Sequence, residues 1–179
     1  MKKYIPFCSA ESIFDIDLDF FKKIGVKYLF IDLDNTLDSP HTEIPSERVI
    51  QLFKKMVDFG LIPVITSNNT KERVALYASI LGVRYMYRTC KPFVFRLKDY
   101  IKSENITNKS VIIIGDQIVT DIICANRLKV KSILTNPLVE KELLVTVINR
   151  HIDCHYRKKI RKTGLVCDWR EIYAKLEQS

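Results

Sequence analysis

Between residues 28 and 37 the chain reads Tyr28-Leu29-Phe30-Ile31-Asp32-Leu33-Asp34-Asn35-Thr36-Leu37, an apolar strand that runs straight into two carboxylates on alternate positions. Successive side chains of a strand point to opposite faces, so Asp32 and Asp34 share one side for as long as the strand lasts. Two acids held together at the edge of a core repel each other and are costly to desolvate unless a cation or a shared proton compensates. A strand that ends in this way points to chemistry rather than to packing.

Three later segments repeat the plan. Leu61–Thr66 leads into Ser67-Asn68-Asn69, a short strand from Val83 leads to Lys91-Pro92, and Val111–Ile114 leads into Gly115-Asp116. The last is continuously apolar, as a strand buried on both faces must be. Val130–Leu134 reads as a final strand. Helical stretches separate them. Residues 45–60 start at Pro45-Ser46, with Ser46 as the expected cap, and carry an inward stripe of Val49, Leu52, Phe53 and Met56 that stops at Gly60. Residues 70–81 repeat the arrangement and stop at Gly82, and further helices are predicted over 93–101, 119–128 and 138–149. Residues 11–23 form a helical or irregular lead-in. Strands alternating with helices predict an α/β fold: three layers around a doubly wound, mostly parallel sheet with right-handed crossovers. Such sheets bind ligands at the carboxyl ends of their strands, which is where all four polar segments fall.

Taken in order, Asp32-Leu33-Asp34-Asn35-Thr36-Leu37, Ser67-Asn68-Asn69, Lys91-Pro92 and Gly115-Asp116-Gln117-Ile118-Val119-Thr120-Asp121 resemble the four motifs of the haloacid dehalogenase (HAD) superfamily of phosphatases. The Gly-Asp-Gln-x-x-Thr-Asp form, followed by Ala125-Asn126-Arg127, is similar to subfamily IIIA, the YqeG-like proteins and their mitochondrial phosphatidylglycerophosphate phosphatase relatives. The likeness runs from about Ile5 to the early 160s.

The resemblance implies roles. Asp32 would be the nucleophile that forms an aspartyl-phosphate, and Asp34 the general acid and then base. A transferring phosphoryl group spreads negative charge over its oxygens, so Mg2+ is implied, held by Asp32, Asp116 and the backbone carbonyl of Asp34. Asp121 would bind the metal through water or orient Lys91. Ser67 and Lys91 would clamp the phosphoryl oxygens. Thr36 would steady the first loop, and Asn35, Asn68 and Asn69 would do the same or contact substrate. Arg127 matches the subfamily, with no physical role legible beyond an acid partner. One helix and its connections fill each interval between the first three motifs, leaving no room for a cap domain. A capless member of this superfamily suits a phosphate carried on something bulky.

Composition sets the frame. A chain of 179 residues, 47% hydrophobic with 5 Gly and 6 Pro, is globular and of ordinary single-domain size, residues 1–179, ending in a basic segment over 150–179. No apolar run reaches the ~20 residues of a membrane-spanning helix, and the apolar stretch after Met1-Lys2-Lys3 is too short for a signal peptide, so a cytoplasmic protein is expected. Cys8, Cys90, Cys124, Cys154 and Cys167 lack metal-ligand spacing and read as reduced thiols, with Cys90 expected to be buried and inert. His41, His151 and His155 form no metal motif. The net charge of +8 favours anionic partners. Its sharpest feature is Arg157-Lys158-Lys159-Ile160-Arg161-Lys162, preceded by Arg150 and His151, which suits the inner face of an anionic membrane, RNA, or an ordinary solvated helix face.

Two other classes share parts of this pattern. A phospho-receiver domain also uses a phosphorylated Asp, metal-binding acids, Ser or Thr and Lys, but carries its acidic pair on the first strand and its phosphorylated Asp two strands later, with no Asp-x-Asp-x-Thr. A non-catalytic HAD-fold adaptor would bind RNA or a ribosomal partner through the basic tail. The leading expectation is a Mg2+-dependent phosphatase for a bulky monoester, with phosphatidylglycerophosphate the substrate that the subfamily resemblance and the basic tail together favour.

Overall fold

The computed structural model describes residues 2–138 and 144–178, with the side chains at 2, 144–152 and 161 outside the description. Six parallel strands form one sheet: β1 (Cys8–Ser9), β2 (Tyr28–Ile31), β3 (Ile62–Thr66), β4 (Arg84–Met86), β5 (Val111–Gly115) and β6 (Lys131–Leu134), in the order β1-β6-β5-β2-β3-β4. Every pairing is parallel, so the expected mostly parallel sheet is wholly so.

Alternation along the central strands builds a core on each face. Leu29 and Ile31 of β2 and Ile112 and Ile114 of β5 pack into one cluster with α1 (Leu18–Lys23), α2 (Glu47–Asp58), α3 (Lys71–Leu81) and Trp169 of α7 (Trp169–Glu177). Phe30, Val111 and Ile113 face the other way, against Leu97 and Ile101 of α4 (Phe95–Ser103) and Cys124, Ala125 and Leu128 of α5 (Ile123–Leu128). Val111 to Ile114 have no exposed surface. Burying aliphatic side chains of this size stabilises the fold by roughly 1.5–3 kcal/mol each, enough to offset costly groups at the strand ends.

Register carries those ends to one place. Ile31 pairs with Ile65 on one side and Ile114 on the other, so Asp32, Thr66 and Gly115 lie abreast, and the Asp32 amide donates to the Ile114 carbonyl at 2.9 Å. Thr66 pairs with Met86, which brings the segment to Lys91 alongside.

Some local expectations change. Ser46 occupies the cap position of α2 without a side-chain bond; its amide donates instead to the Asp38 carboxylate at 2.9 Å, which also accepts from the Tyr77 hydroxyl at 2.6 Å. The helix expected from residue 119 begins with a π-type turn, Ile118–Ile122. Of the helix expected over 138–149, residues 139–143 lie outside the description; α6 (Leu144–Thr163) runs on through the basic segment, because no Gly or Pro interrupts it before Gly164, whose φ is +60°. Cys90 is exposed rather than buried: its φ of 59° turns the chain so that Lys91, next along, points inward. Burial pushes the Cys8 and Cys124 thiols up to about 12, which leaves them inert as nucleophiles.

Candidate active site

Asp32, Asp116 and Asp121 each place a carboxylate oxygen within 4.8 Å of the others. The Lys91 ammonium lies among them, donating to Asp32 Oδ1 at 2.7 Å, Asp121 Oδ1 at 2.7 Å and the Thr66 carbonyl at 2.8 Å. Those bonds use all three of its protons. Lys91 is 5% exposed, and although burial works against its charge, Asp121 and Asp32 outweigh burial and hold the ammonium above its ordinary range. Asn68 fixes the backbone that delivers it: the amide oxygen accepts from Lys91 N at 2.8 Å and from the Thr89 hydroxyl at 2.9 Å, while Nδ2 donates to the Lys91 carbonyl at 3.0 Å.

Gly115 explains how Asp121 comes so close. A Cβ at position 115 would stand 2.3 Å from Asp121 Cγ, so only glycine admits that carboxylate against the strand end. The widened turn over 118–122 aims Asp121 back at Lys91 and at the Gln117 amide, which donates to it at 3.2 Å.

Asp34 takes no side-chain part in this group. Its Oδ1 accepts from Arg73 Nη2 at 2.6 Å and Nε at 3.2 Å, and its Oδ2 accepts from Asn69 Nδ2 at 3.2 Å. Arg73 also donates to the Thr42 carbonyl at 2.8 Å, tying the loop after the first motif to α3. Ser67 Oγ accepts from the Asn69 amide at 3.0 Å, leaving its own proton to donate. Thr36 is buried, and its hydroxyl has no hydrogen-bond partner among the described residues.

The charges do not balance internally. Fully ionised, three carboxylates against one ammonium would leave an excess of two negative charges. Burial pushes Asp32 up to about 7, with Lys91 opposing and Asp121 adding to the rise, and burial together with Asp32 and Asp121 raises Asp116 well above the carboxylate range. Asp116 Oδ1 is buried with no hydrogen-bond partner among the described residues, a costly arrangement unless something binds it. Hard carboxylate oxygens with this deficit fit a divalent cation. In a chelator the folded form should therefore lose stability as pH rises from the ordinary carboxylate value of 3.8 to about 7, because the folded state binds protons there that the unfolded chain releases. Melting curves across that range should show the fall, and an added divalent cation should reduce it; a flat profile would contradict the charge deficit.

Residues 1–139 match the family described as mitochondrial PGP phosphatase. The chain belongs to that family. It is accordingly a HAD-type phosphatase, a phosphoric monoester hydrolase, and its substrate carries a phosphate. A relative described as "Probable phosphatase YqeG", from Bacillus subtilis (strain 168), is 28% identical over 170 residues, covering 95% of this chain and 98% of that protein. Phosphatidylglycerophosphate phosphatase 1, chloroplastic/mitochondrial, of Arabidopsis thaliana is 28% identical over 160 residues, 82% of this chain but 45% of the plant protein. Among solved structures, an uncharacterized protein from Listeria monocytogenes serotype 4b shares the fold, with a TM-score of 0.53 and 16% identity over 66% of this chain and 85% of that one. No helix among the described residues is long and apolar enough to cross a membrane.

Within this PGP phosphatase family member, two site contacts escape the motif reading. Arg73 sits in the first turn of α3, where the helix dipole disfavours a cation, and that misfit is the sequence signal for an acid partner. Arg157 is no surface cation: it pairs with Asp153 at 3.2 Å and donates to the Thr135 carbonyl at 2.9 Å and to the Asp116 carbonyl. The spacing of Asp153, Tyr156, Arg157 and Ile160 on one helix face was the available hint. Lys158, Lys159 and Lys162 are exposed; the side chains of Arg150, His151 and Arg161 lie outside the described residues. Arg127 donates to the Pro92 carbonyl at 2.9 Å, and no ion pair to an acid is seen for it among the described residues.

Proposed function

We propose that the chain is a Mg2+-dependent phosphomonoesterase working through an aspartyl-phosphate on Asp32, and that it acts on a phosphate carried by a bulky anionic lipid head group, phosphatidylglycerophosphate. Residues 1–179 act as one domain in this reading. The observation that carries it is the Asp32 carboxylate at a strand end, 2.7 Å from a buried ammonium and beside Asp116 and Asp121.

An Asp32 oxygen attacks phosphorus and the bond to the leaving oxygen breaks, with Asp34 giving that oxygen its proton. Asp34 then takes a proton from water, the water oxygen attacks phosphorus, and the bond to Asp32 breaks to release inorganic phosphate. Both oxygens of Asp34 accept bonds from Arg73 and Asn69, a state that suits the base; acting as acid requires a proton and the loss of one such contact. Ser67 donates its free proton to a phosphoryl oxygen, and Lys91 shares one of its bonds with the incoming group. Asn68 contributes by placing Lys91. Asp32, Asp116 and Asp121, with the Asp34 carbonyl, would hold Mg2+, which when bound offsets the charge of the phosphoryl oxygens.

Access supports a bulky substrate. The connection from Asp34 to α2 is the loop over residues 39–46, and large apolar side chains stand exposed around the strand ends: Ile44, Phe93 and Phe95 at 57%, 63% and 53%. Arg88 and Arg127 are also exposed, and Arg127 donates to the carbonyl of Pro92, the residue before Phe93. Aromatic and basic side chains together suit the interface of an anionic membrane. The test is Mg2+-dependent phosphate release from phosphatidylglycerophosphate vesicles against a small chromogenic phosphate ester. The lipid should turn over at least about tenfold more efficiently, a preference of the size that a few contacts beyond the phosphate can supply. Equal rates would overturn the lipid assignment, and no release from either would overturn the phosphomonoesterase reading.

A further inference from the structure

The family match ends at residue 139, yet the loop that carries Asp116 is held from beyond it. Asp153 and Arg157 stand one helical turn apart on α6 and pair at 3.2 Å, with side chains 8% and 18% exposed. Asp153 Oδ1 accepts the amides of Ile118 at 2.7 Å and Val119 at 3.2 Å, closing the start of the 118–128 helical segment from outside. Arg157 Nη2 donates to the carbonyls of Asp116 and Thr135. The helix bearing them is seated by Tyr156, stacked on Tyr4 with ring centroids 3.8 Å apart, and by Ile160 against the Ile118, Ile122 and Leu134 cluster.

Asp116 needs such support. Among the described residues its Oδ1 has no hydrogen-bond partner, so that end of the carboxylate is aimed by the backbone, and that backbone ends its strand at a glycine. The contacts from α6 fall on residues 116, 118 and 119, between Asp116 and Asp121. From this geometry we propose that Asp153 and Arg157 are positioning residues which hold the 116–119 turn so that Asp116 and Asp121 converge, and thereby set the affinity of the site for Mg2+. The inference rests on the reading of Asp116 as a metal-holding residue. Groups that orient ligating carboxylates without touching the ion change metal affinity about 10–100-fold when removed.

The test is an Mg2+ titration of the melting temperature of the full chain, for wild type, Arg157→Met, Arg157→Lys, Asp153→Asn, Asp116→Asn and the exposed-site control Lys159→Met. Expected are an Mg2+ midpoint raised at least about tenfold in Arg157→Met and in Asp153→Asn, a smaller rise in Arg157→Lys, and a wild-type midpoint in Lys159→Met. Asp116→Asn should lose the response altogether. If Arg157→Met does not fold, the lysine and asparagine variants decide alone. Lower melting temperatures with an unchanged Mg2+ midpoint would overturn the inference while leaving the metal reading intact, since α6 would then only stabilise the fold. A wild-type chain with no Mg2+ response, or an Asp116→Asn chain that keeps one, would overturn both.

Discussion

Replacing Asp32 by Asn is expected to reduce Mg2+-dependent phosphate release by at least about 10^4-fold, the size of loss seen when a covalent nucleophile is removed. The amide nitrogen and oxygen carry no charge to attack phosphorus, and no neighbouring acid takes the place of a carboxylate at the end of β2. The same substitution should leave the metal-free chain folded and at least as stable as wild type at about pH 7.5. Burial pushes Asp32 up to about 7, so a neutral isostere relieves a charge that the folded state holds reluctantly. Lys91 keeps its bonds to Asp121 and to the Thr66 carbonyl in the variant. Phosphate-release assays paired with melting curves in a chelator check both halves. Activity above about 1% of wild type would remove Asp32 from the nucleophile's role.

Lys91→Met is the second large effect, and its sign is opposite for stability. Removing one partner of a buried ion pair while leaving the other in place costs about 3–5 kcal/mol, and here Asp32 and Asp121 both lose the ammonium at 2.7 Å. Lys91 stays charged throughout the ordinary pH range, so the pH dependence comes from the acids it leaves behind. The pKa values of Asp32 and Asp116, already raised, should rise further, so the variant should go on losing stability as pH climbs past about 7, where the wild-type fall ends, and recover towards acid pH, where these carboxylates are protonated. Urea unfolding at about pH 5 and about pH 7.5 measures the difference. An unchanged midpoint at the higher pH would show that the ammonium is not needed to hold the acids together.

The two variants differ because of facts that stand at different levels. That Asp32 follows a buried strand is visible in the residues, since Leu29, Phe30 and Ile31 alternate faces and all three are wholly buried. That Lys91 spends every proton on Asp32, Asp121 and Thr66 is not visible, because the partners lie 59, 30 and 25 residues away. The sequence reading assigned Lys91 to the phosphate. In the fold it is the counter-ion of Asp32 and Asp121. Asn68, expected either to steady a loop or to contact substrate, spends its amide on the Lys91 and Thr89 segment.

Local pattern was a good guide to the central elements. β2, β3 and β5 are apolar runs bounded by polar turns, and the helices between them carry stripes at helical spacing, so the alternating α/β order could be read directly. β1 could not: two residues, Cys8 and Ser9, show no periodicity, and their strand exists through pairing with Ile133 and Leu134. The place of β6 between β1 and β5 likewise depends on contacts across the sheet. Residue type alone predicts a buried Cys90, while its left-handed φ turns the side chain outward. One member of the basic run at 157–162 departs from the pattern for a similar reason: composition cannot tell an arginine that meets Asp153 and two carbonyls from its solvated neighbours.

By itself the sequence determined the fold class, the ordered polar segments at strand ends and the chemistry they share, because strand alternation, helical spacing and turn residues act over a few positions. Only the tertiary structure decided the strand order and which charges face inward: Arg73 on Asp34 across 39 residues, and Arg157 on the Asp116 carbonyl across 41. Those pairings depend on desolvation and on the geometry of distant backbone groups, which parallel register and helix packing bring together only when the whole chain has folded.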